Sequence, residues 1–346
     1  MRAPSGVVKG GVRVYCLFSQ GNGARRDLGV AGLPKRGEAR PPRLLIIFNY
    51  RASQKRIARF HAVLRLLEKA GCSYVVKEMQ AAGDAARFAA AADAAEVDIV
   101  VVAGGDGTVN DAINGFHPGT PPLGLIPLGT ANVLAHEIGL EVEPAAIAAA
   151  LTGGGRLSVL PGQVNGRRFM MMASAGFDAH VVSGVNRTVK RRIGKIVYAL
   201  SALRQLLRYS CPRLDVLVDG KPVAAATIVV SRGRLYGGRF VMAPEASLMG
   251  AELQVSLFRR AGRLAMVGYS LALPLGLLNR WKLIDHVAAR RVEIRNRPGD
   301  PVQADGDVTT TLPGSIGLAD HPITLVVPTT PPNPGAAMPG NRMRAG

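Results

Sequence analysis

The chain has 346 residues, of which 48% are hydrophobic, enough to form one large domain or two of ordinary size. Lys and Arg total 43 against 24 acidic residues, and the net charge of +19 favours an anionic partner such as a nucleotide, a nucleic acid or an acidic membrane surface. Aromatic residues make up only 5% and do not alternate with basic residues, so we expect no nucleic-acid partner.

The cysteines and the apolar segments indicate a cytoplasmic protein. Cys16, Cys72 and Cys211 are too far apart in sequence to suggest a metal site or a disulfide framework. No continuous apolar segment near the N-terminus resembles a signal peptide. The longest apolar stretch, residues 264–278, is shorter than the ~20 residues of a membrane span and contains Pro274. We expect a packed helix there, with an interfacial position as the alternative.

The first half of the chain alternates between strand and helix patterns. Residues 1–41 are rich in Gly, Arg and Pro, and we predict that they are disordered, as are residues 328–346. Residues 42–152 contain four apolar runs, each followed by a segment with helical spacing. This alternation predicts a doubly wound parallel sheet. Strands are expected at 43–50, 72–79, 98–105 and 123–128, and the longer helices at 53–71, 83–97 and 143–151.

Strand patterns dominate after a glycine-rich stretch at residues 152–156. Residues 153–327 are predicted to form a second, mainly antiparallel β domain, whose last strand could pack back on the first domain. Asn165-Gly166 and Asp219-Gly220 are typical of two-residue hairpin turns. One long helical segment, residues 181–209, interrupts the strands.

A glycine-rich turn ends the apolar run at residues 98–105. It reads Gly104-Gly105-Asp106-Gly107-Thr108 and leads into a helix. Ligands of an open α/β sheet bind beyond the carboxyl ends of the strands, and glycines let a ligand approach the backbone closely. The amide groups at the start of the following helix favour an anion, and the spacing of Thr108 and Asp111 predicts a capping box.

A second turn repeats this design. Pro127-Leu128-Gly129-Thr130 follows another apolar run and precedes another helix. Two such turns at neighbouring strand ends predict a phosphate-binding cleft. Asp106 would repel an unaccompanied phosphate, so a divalent cation is expected with it. The pattern is neither a Walker A loop nor a Rossmann fingerprint.

Together the two turns resemble the diacylglycerol-kinase catalytic-domain family, which includes bacterial lipid kinases, sphingosine kinases and ceramide kinases. The matching segments are VVAGGDGTVNDAINGF (101–116) and LGLIPLGTANVLAHEIGL (123–140). The first motif alone is shared with NAD kinases and phosphofructokinases, whereas the pair at this spacing is more specific. The resemblance continues at Asn49, at SAGFDAHVV (174–182), at YGGRFVMAPEASL (236–248) and at VQADGD (302–307), and so covers about residues 43–327.

Several positions depart from the family pattern. Tyr50 and Ser53 stand where the family has Pro and Gly after the first strand. The late motif ends in Asp307 rather than Glu. Gly250-Ala251 stands where many members have Asp-Gly, which puts a structural Mg²⁺ site in doubt, although Glu252 is adjacent. Met79 stands near a position where many members have a nucleotide-contacting threonine.

The resemblance implies an NAD-kinase- and phosphofructokinase-like first domain that binds ATP, and phosphorylation of a lipid hydroxyl between the two domains. Asp307 would be the base, Asp305 its neighbour or a metal-side partner, and Asp106 either a competing base or the residue near Mg²⁺. Thr130 would add a hydroxyl contact and Asn132 would fix the second turn. The nucleotide-binding residues implied are Asn49, Gly104, Gly105, Asp106, Gly107, Thr108, Val109, Asn110, Pro127, Gly129, Thr130 and Asn132.

Other interpretations remain open from the sequence. Asp305 to Asp307 could form a turn with solvated acids, and Asp178 could be a buried structural acid or an acceptor-side contact. The basic segment 187–195 could be a solvated face or could attract anionic lipid at the inner face of the membrane. An NAD-kinase-like or sugar kinase, or a non-catalytic nucleotide- or lipid-binding protein, is the alternative function. The acceptor lipid, a metal-ligand set and a homodimer are left undecided.

Overall fold

The structure is a computed structural model that describes residues 7–9, 12–16, 40–50, 53–185, 201, 204–206, 209–280 and 283–329. It contains an α/β part and a mainly antiparallel β part, so the predicted fold class is confirmed. The basic segment 187–195 and the predicted C-terminal tail from residue 330 onwards lie outside the described residues.

The first sheet has eight strands, numbered in chain order. They are β1 (Val7–Lys9), β2 (Val12–Cys16), β3 (Arg43–Phe48), β4 (Ser73–Glu78), β5 (Ile99–Gly104), β6 (Leu123–Pro127), β7 (Gly155–Val159) and β22 (Ile323–Val327). Their order in the sheet is β1-β2-β4-β3-β5-β6-β22-β7. The central strands β4, β3, β5, β6 and β22 run parallel, as the strand and helix alternation predicts. All six residues of β5 are buried. This agrees with its continuous apolar sequence, which is typical of a strand covered on both faces.

Five helices accompany this sheet. They are α1 (Gln54–Lys69), α2 (Asp84–Ala90), α3 (Asp106–Ile113), α4 (Val133–Glu137) and α5 (Pro144–Gly153). α1 buries Phe60, Val63 and Leu67, which lie on one face at helical spacing. α2 is shorter than the predicted helix 83–97. Asp93 forms a turn beyond it, because its carboxylate accepts a hydrogen bond from the Ala95 amide and its carbonyl accepts one from the Val97 amide.

The prediction of disorder over residues 1–41 is wrong at two segments. β1 and β2 pair with each other, and β2 pairs antiparallel with β4 at the edge of the sheet. The physical reason is visible in the sequence, because VVK and VRVYC are β-prone runs separated by Gly10-Gly11, a hairpin pattern. Arg40 and Pro41 lead into β3, and the remaining residues of 1–41 lie outside the described part.

The second part is a sandwich of two six-stranded antiparallel sheets. Their strands are β8 (Gly162–Val164), β9 (Arg167–Phe169), β10 (Met172–Gly176), β11 (Leu214–Val218), β12 (Lys221–Ala225), β13 (Thr227–Ser231), β16 (Leu253–Phe258), β17 (Asp285–Ala289), β18 (Arg291–Ile294), β19 (Pro301–Ala304), β20 (Asp307–Thr311) and β21 (Gly314–Leu318). The orders are β17-β16-β13-β10-β19-β20 and β12-β11-β18-β21-β8-β9. One cluster of buried apolar residues draws on both sheets. Both predicted hairpin turns are present, with positive φ at Asn165, Gly166, Asp219 and Gly220.

The remaining elements are short. They are β14 (Leu235–Tyr236), β15 (Phe240–Val241), α6 (Phe177–Ser183), α7 (Arg263–Ala272) and α8 (Leu277–Arg280). The apolar stretch 264–278 forms α7 and the start of α8, with Pro274 between them. The prediction of a packed helix is confirmed only for one face, because α7 buries Met266, Tyr269 and Ala272 but leaves Leu264 and Leu271 exposed. The first sheet includes β7 and β22, so it extends beyond the predicted domain boundary at residue 152.

Candidate active site

The two glycine-rich turns lie side by side at the carboxyl ends of β5 and β6. A Cβ placed on Gly129 would lie 2.6 Å from the Gly105 Cα atom, and a Cβ on Gly105 would lie 3.0 Å from the Gly129 Cα atom. Only glycine at both positions lets the two backbones approach this closely. The sequence prediction that the turns form one cleft is therefore consistent with their placement.

The first turn is held by the side chains of Asn49, Asp106 and Thr108. Gly104 is the last residue of β5, and a Cβ on it would lie 2.6 Å from Thr108. Asn49, which directly follows β3, donates from Nδ2 to the Thr108 hydroxyl at 3.0 Å. Asp106 begins α3 and accepts a hydrogen bond from the Val133 amide at 2.6 Å, which ties the two turns together.

The second turn is fixed by Asn132, as the resemblance suggested. Its backbone is left-handed, with φ of 45°, and its side chain bonds the Gly129 backbone in both directions. The Gly129 amide donates to Asn132 Oδ1 at 2.7 Å, so that amide is already engaged. The Thr108 and Val109 amides donate to the Gly105 carbonyl inside α3. These three amides are thus engaged in this structure, whereas the amides of the first residues of a helix have no partner inside it.

The predicted capping box is wrong. Gly105 is the N-cap of α3, without a side-chain cap hydrogen bond, because the helix begins two residues before Thr108. The Asp111 carboxylate instead accepts hydrogen bonds from the Gly83 and Ala85 amides at the start of α2. Asp111 thus caps a neighbouring helix rather than its own.

Two arginines of α1 reach the second turn, and sequence reasoning missed them. Arg56 donates to the Thr130 hydroxyl at 3.0 Å, and Arg59 donates to the Pro127 carbonyl at 3.1 Å. Burial and the charge of Arg59 lower the pKa of Arg56, which still remains protonated near neutral pH. Their three-residue spacing in the helix after the first strand is a signal that could have identified them.

Asp305 and Gly306 form the two-residue turn between β19 and β20, and both have positive φ. The Asp305 carboxylate faces inward. It accepts hydrogen bonds from the amides of Met170, Met171 and Met172 at 2.7, 2.9 and 3.1 Å and from Asn110 Nδ2 at 3.0 Å. Burial raises the pKa of Asp305, and these four donors oppose that rise. Asp305 thus anchors the turn and is not a solvated acid.

Asp307 begins β20 and lies against the first glycine turn. A Cβ on Gly107 would lie 2.9 Å from Asp307 Oδ2. A residue of the second part therefore meets the first turn of α3, as expected if the reaction takes place between the two parts. Asp106 lies in the same region, and its pKa is raised by burial and by the nearby Asp305.

Asp178, in the first turn of α6, is the centre of a polar cluster. Its carboxylate accepts hydrogen bonds from Ser174, from Tyr236 and, at 3.1 Å, from Gln303 Nε2. Gln303 also accepts a hydrogen bond from the Gly306 amide at 2.9 Å, which connects the cluster to the turn beside Asp307. The geometry supports the structural role for Asp178, and the cluster faces the same cavity as the glycine turns.

One cavity of about 1310 Å³ connects these groups to an apolar interior. Its polar end contains both glycine turns, Arg56, Asp106 and Asp307. Met79 also lines it, where the family resemblance had suggested a threonine. Its apolar end lies between α6, α7 and the sheet of the second part, and is lined by Met170, Phe177, Val182, Leu206, Val229, Met242, Phe258, Met266, Leu273 and Leu278, among others.

Arg232 occupies the loop in which the resemblance placed a structural Mg²⁺. Its guanidinium donates to the carbonyls of Gly250 at 2.9 Å, Glu252 at 3.0 Å and Leu248, and the side chain is only 1% exposed. The loop carbonyls therefore face a cation of the chain itself, and Gly250-Ala251 supplies no carboxylate. The residues present here do not fit a structural Mg²⁺.

No group of three or more His, Cys, Asp or Glu side chains among the described residues could hold a metal ion. None of the helices within the described ranges has the length and hydropathy that a membrane span requires.

Comparison with known proteins supports the resemblance. The model of the diacylglycerol kinase catalytic domain matches residues 43–164, and the model of the YegS C-terminal NAD kinase beta sandwich-like domain matches residues 171–328. Together they span both parts of the fold and both sides of the cavity.

Individual relatives agree with these matches. A diacylglycerol kinase of Bacillus subtilis is 29% identical over 83% of this chain and 96% of its own length. A YegS-like lipid kinase of Pseudomonas aeruginosa is 31% identical over 62% of this chain and 71% of its own length. A solved structure of a diacylglycerol kinase from Bacillus anthracis str. Sterne has the same fold, with a TM-score of 0.66 and 22% identity over 84% of this chain and 98% of that one. The chain therefore belongs to the diacylglycerol kinase family of phosphotransferases that use an alcohol group as acceptor.

Proposed function

We propose that this protein transfers the γ-phosphoryl group of ATP to the hydroxyl group of a membrane lipid, as part of lipid and phospholipid metabolism. The observation that carries the proposal is the placement of Asp307 against Gly107, at the polar end of a cavity whose other end is apolar. A polar reaction site joined to an apolar chamber suits an acceptor with a hydroxyl head and acyl chains.

ATP would bind with its phosphates over the two glycine turns. The first residues of α3 offer amide groups that are not used inside the helix, and Arg56 supplies a fixed positive charge at Thr130. Phosphoryl transfer depends mainly on positioning and charge neutralisation, both of which this arrangement supports. The position of Asn49 at Thr108 would keep the first turn in shape.

Mg²⁺ would accompany ATP and supply further charge neutralisation. The carboxylate that fits this role is that of Asp106, because it lies beside the first glycine turn at the polar end of the cavity. Asp305 does not fit, since four N–H donors already surround its two oxygen atoms.

Asp307 would act as the general base. It would accept the proton of the lipid hydroxyl while that oxygen bonds to the γ-phosphorus and ADP leaves. Asp305 would position the turn that carries Asp307, and Gln303 would connect this turn to Asp178. Asp178 would thus keep its structural role and hold Gln303 in place beside this turn.

The acceptor that we propose is a lipid with a free hydroxyl group. The relatives are named diacylglycerol kinase and lipid kinase, which makes diacylglycerol the first candidate, with ceramide or a sphingoid base next. We further propose that the protein works in the cytoplasm at the inner face of the membrane. The net charge of +19 supports attraction to anionic lipid.

The test is a kinase assay with Mg²⁺-ATP and each lipid presented in mixed micelles. We expect phosphorylation of at least one of these lipids, and loss of turnover in Asp106→Asn while its melting temperature stays within a few degrees of the wild-type value. Phosphorylation of NAD or of a sugar instead would support the alternative kinases. ATP binding without transfer to any lipid would support a binding protein.

A further inference from the structure

Helix α7 has two different apolar faces. Met266, Tyr269 and Ala272 are buried against the second part of the fold. On the other side, Leu264 is 90% exposed and Leu271 is 62% exposed. These two residues are seven positions apart and therefore lie on one face of the helix. Leu275, in the turn that follows, is 67% exposed.

A single exposed apolar side chain is common on protein surfaces, but a row of large exposed apolar side chains along one helix face is unusual. Such a row marks an interaction site. We call Leu264, Val267, Leu271 and Leu275 the α7 apolar stripe. The charged residues of the segment that contains the stripe are basic, and one of them, Arg259, forms an ion pair with Asp285, which directly follows the segment. Residues 259–284 contain no Asp or Glu, and their basic residues are Arg259, Arg260, Arg263, Arg280 and Lys282.

The stripe also borders the cavity. Val267 and Leu271 belong to both, since they are exposed on the surface and line the cavity as well. Met266 and Tyr269, on the buried face of α7, line the interior of the cavity. A ligand that reached the cavity along the stripe would meet apolar surface continuously from the outside to the interior.

We propose that the α7 apolar stripe, with the arginines beside it, docks on an anionic lipid bilayer, and that the acceptor lipid passes from the bilayer into the cavity past Val267 and Leu271. Basic residues flanking exposed leucines are typical of a helix that lies in the membrane interface. The inference rests on the proposed lipid kinase function, because it assigns the cavity to a lipid. It places docking on described residues, separate from the basic segment 187–195.

The first test measures vesicle binding without ATP. Leu264 and Leu275 do not line the cavity, so we choose Leu264→Glu/Leu275→Glu and measure cosedimentation with vesicles of phosphatidylcholine and phosphatidylglycerol. We expect the affinity to fall on the order of tenfold or more, because two inserting side chains become two charges that the anionic surface repels. Met249→Glu is the control, since Met249 is 71% exposed but lies outside the stripe, and it should bind like the wild type.

The second test separates charge from apolar insertion. Arg260→Gln/Arg280→Gln should weaken binding to the mixed vesicles and leave weak binding to pure phosphatidylcholine unchanged. Arg65→Gln/Arg156→Gln removes the same charge from α1 and β7, and should have a much smaller effect. Equal losses in both pairs would show that only the net charge matters and would overturn the role of the surface beside α7.

The third test links docking to the passage of the acceptor. The leucine variant should phosphorylate a short-chain acceptor that is monomeric in solution at the wild-type rate, and should lose most activity on the same headgroup embedded in vesicles. The inference would be overturned if the leucine variant bound vesicles as tightly as the wild type. It would also be overturned if the wild type were a dimer and the variant a monomer that still binds vesicles. Because vesicle binding is measured without ATP, failure of the wild type to phosphorylate any lipid would overturn the proposed function alone.

Discussion

The two ends of the cavity are built by different means. At the polar end, short turns are fixed by hydrogen bonds between neighbours, as in the pair of Asn132 and Gly129 and in the four donors around Asp305. At the apolar end, side chains from α6, α7, β13 and β16 meet mainly through apolar contacts, and Thr227 is an exception, since its hydroxyl accepts a hydrogen bond from the Phe177 amide at 3.0 Å. The polar end should therefore be intolerant of small changes, whereas the apolar end should respond gradually to changes in volume.

The largest expected effect is at the polar end, at Asp307. Asp307→Asn keeps the size of the side chain and removes the proton acceptor, so kcat should fall by roughly 10²- to 10⁴-fold, the usual value of general-base catalysis. The KM for ATP should change little, because the glycine turns and Arg56 remain. Steady-state kinetics with varied ATP and varied acceptor measure both constants.

Two control variants sharpen this result. Asp307→Glu restores the residue usual in the family and should retain activity. Asp305→Asn should lower the melting temperature, because its carboxylate holds the amides of Met170, Met171 and Met172. A loss of ATP affinity in Asp307→Asn, with kcat preserved, would contradict its role as the base.

Arg232 tests whether fixed hydrogen bonds also matter in the second part of the fold. Arg232→Met leaves the carbonyls of Gly250, Glu252 and Leu248 without their donor, and the free energy of unfolding should fall by about 2–4 kcal/mol. Arg232→Lys keeps a cation and should recover part of the loss. Urea denaturation followed by circular dichroism measures both, and an unchanged midpoint in Arg232→Met would show that the loop does not depend on this cation.

Gly129→Ala tests the close contact of the two turns. The new Cβ would lie 2.6 Å from the Gly105 Cα atom, a contact that backbone movement must relieve. We expect kcat/KM for ATP to fall on the order of tenfold, because displaced phosphates lose their alignment. Gly153→Ala is the matched control, since a Cβ there meets nothing within 4 Å. Equal activity of the two variants would mean that the contact between Gly129 and Gly105 does not determine how the two turns are placed.

The smallest effect is expected at the apolar end. Val182 lines the cavity on α6 and is only half-buried, so Val182→Trp should narrow the cavity without unfolding the protein. The KM for a long-chain acceptor should rise several-fold while the KM for ATP stays constant. Ser183→Trp, at the next and exposed position, should leave both constants unchanged. If Val182→Trp altered the KM for ATP instead, the assignment of the two ends would be wrong.

The same contrast explains what could be predicted from the sequence. The glycine turns, the parallel strands and both Asn-Gly and Asp-Gly hairpins depend on local residue types, so their patterns are readable over a few positions. The engagement of the Gly129 amide by Asn132, and the capping of α2 by Asp111, depend on contacts that spacing alone does not define. The apolar end of the cavity draws on residues from Met170 to Leu278, and no short pattern connects them.

The position of β22 has a consequence for the synthesis of the chain. Leu325 pairs with Leu123 about 200 residues earlier, and β7 joins the first sheet only through β22. A ribosome makes the whole sandwich before it makes the strand that completes the first sheet. Until β22 is made, the edge of β6 that faces away from β5 has no partner strand from this sheet. The first sheet, which carries both glycine turns, is therefore the first to be started, and its pairing is completed only after the sandwich has been synthesised.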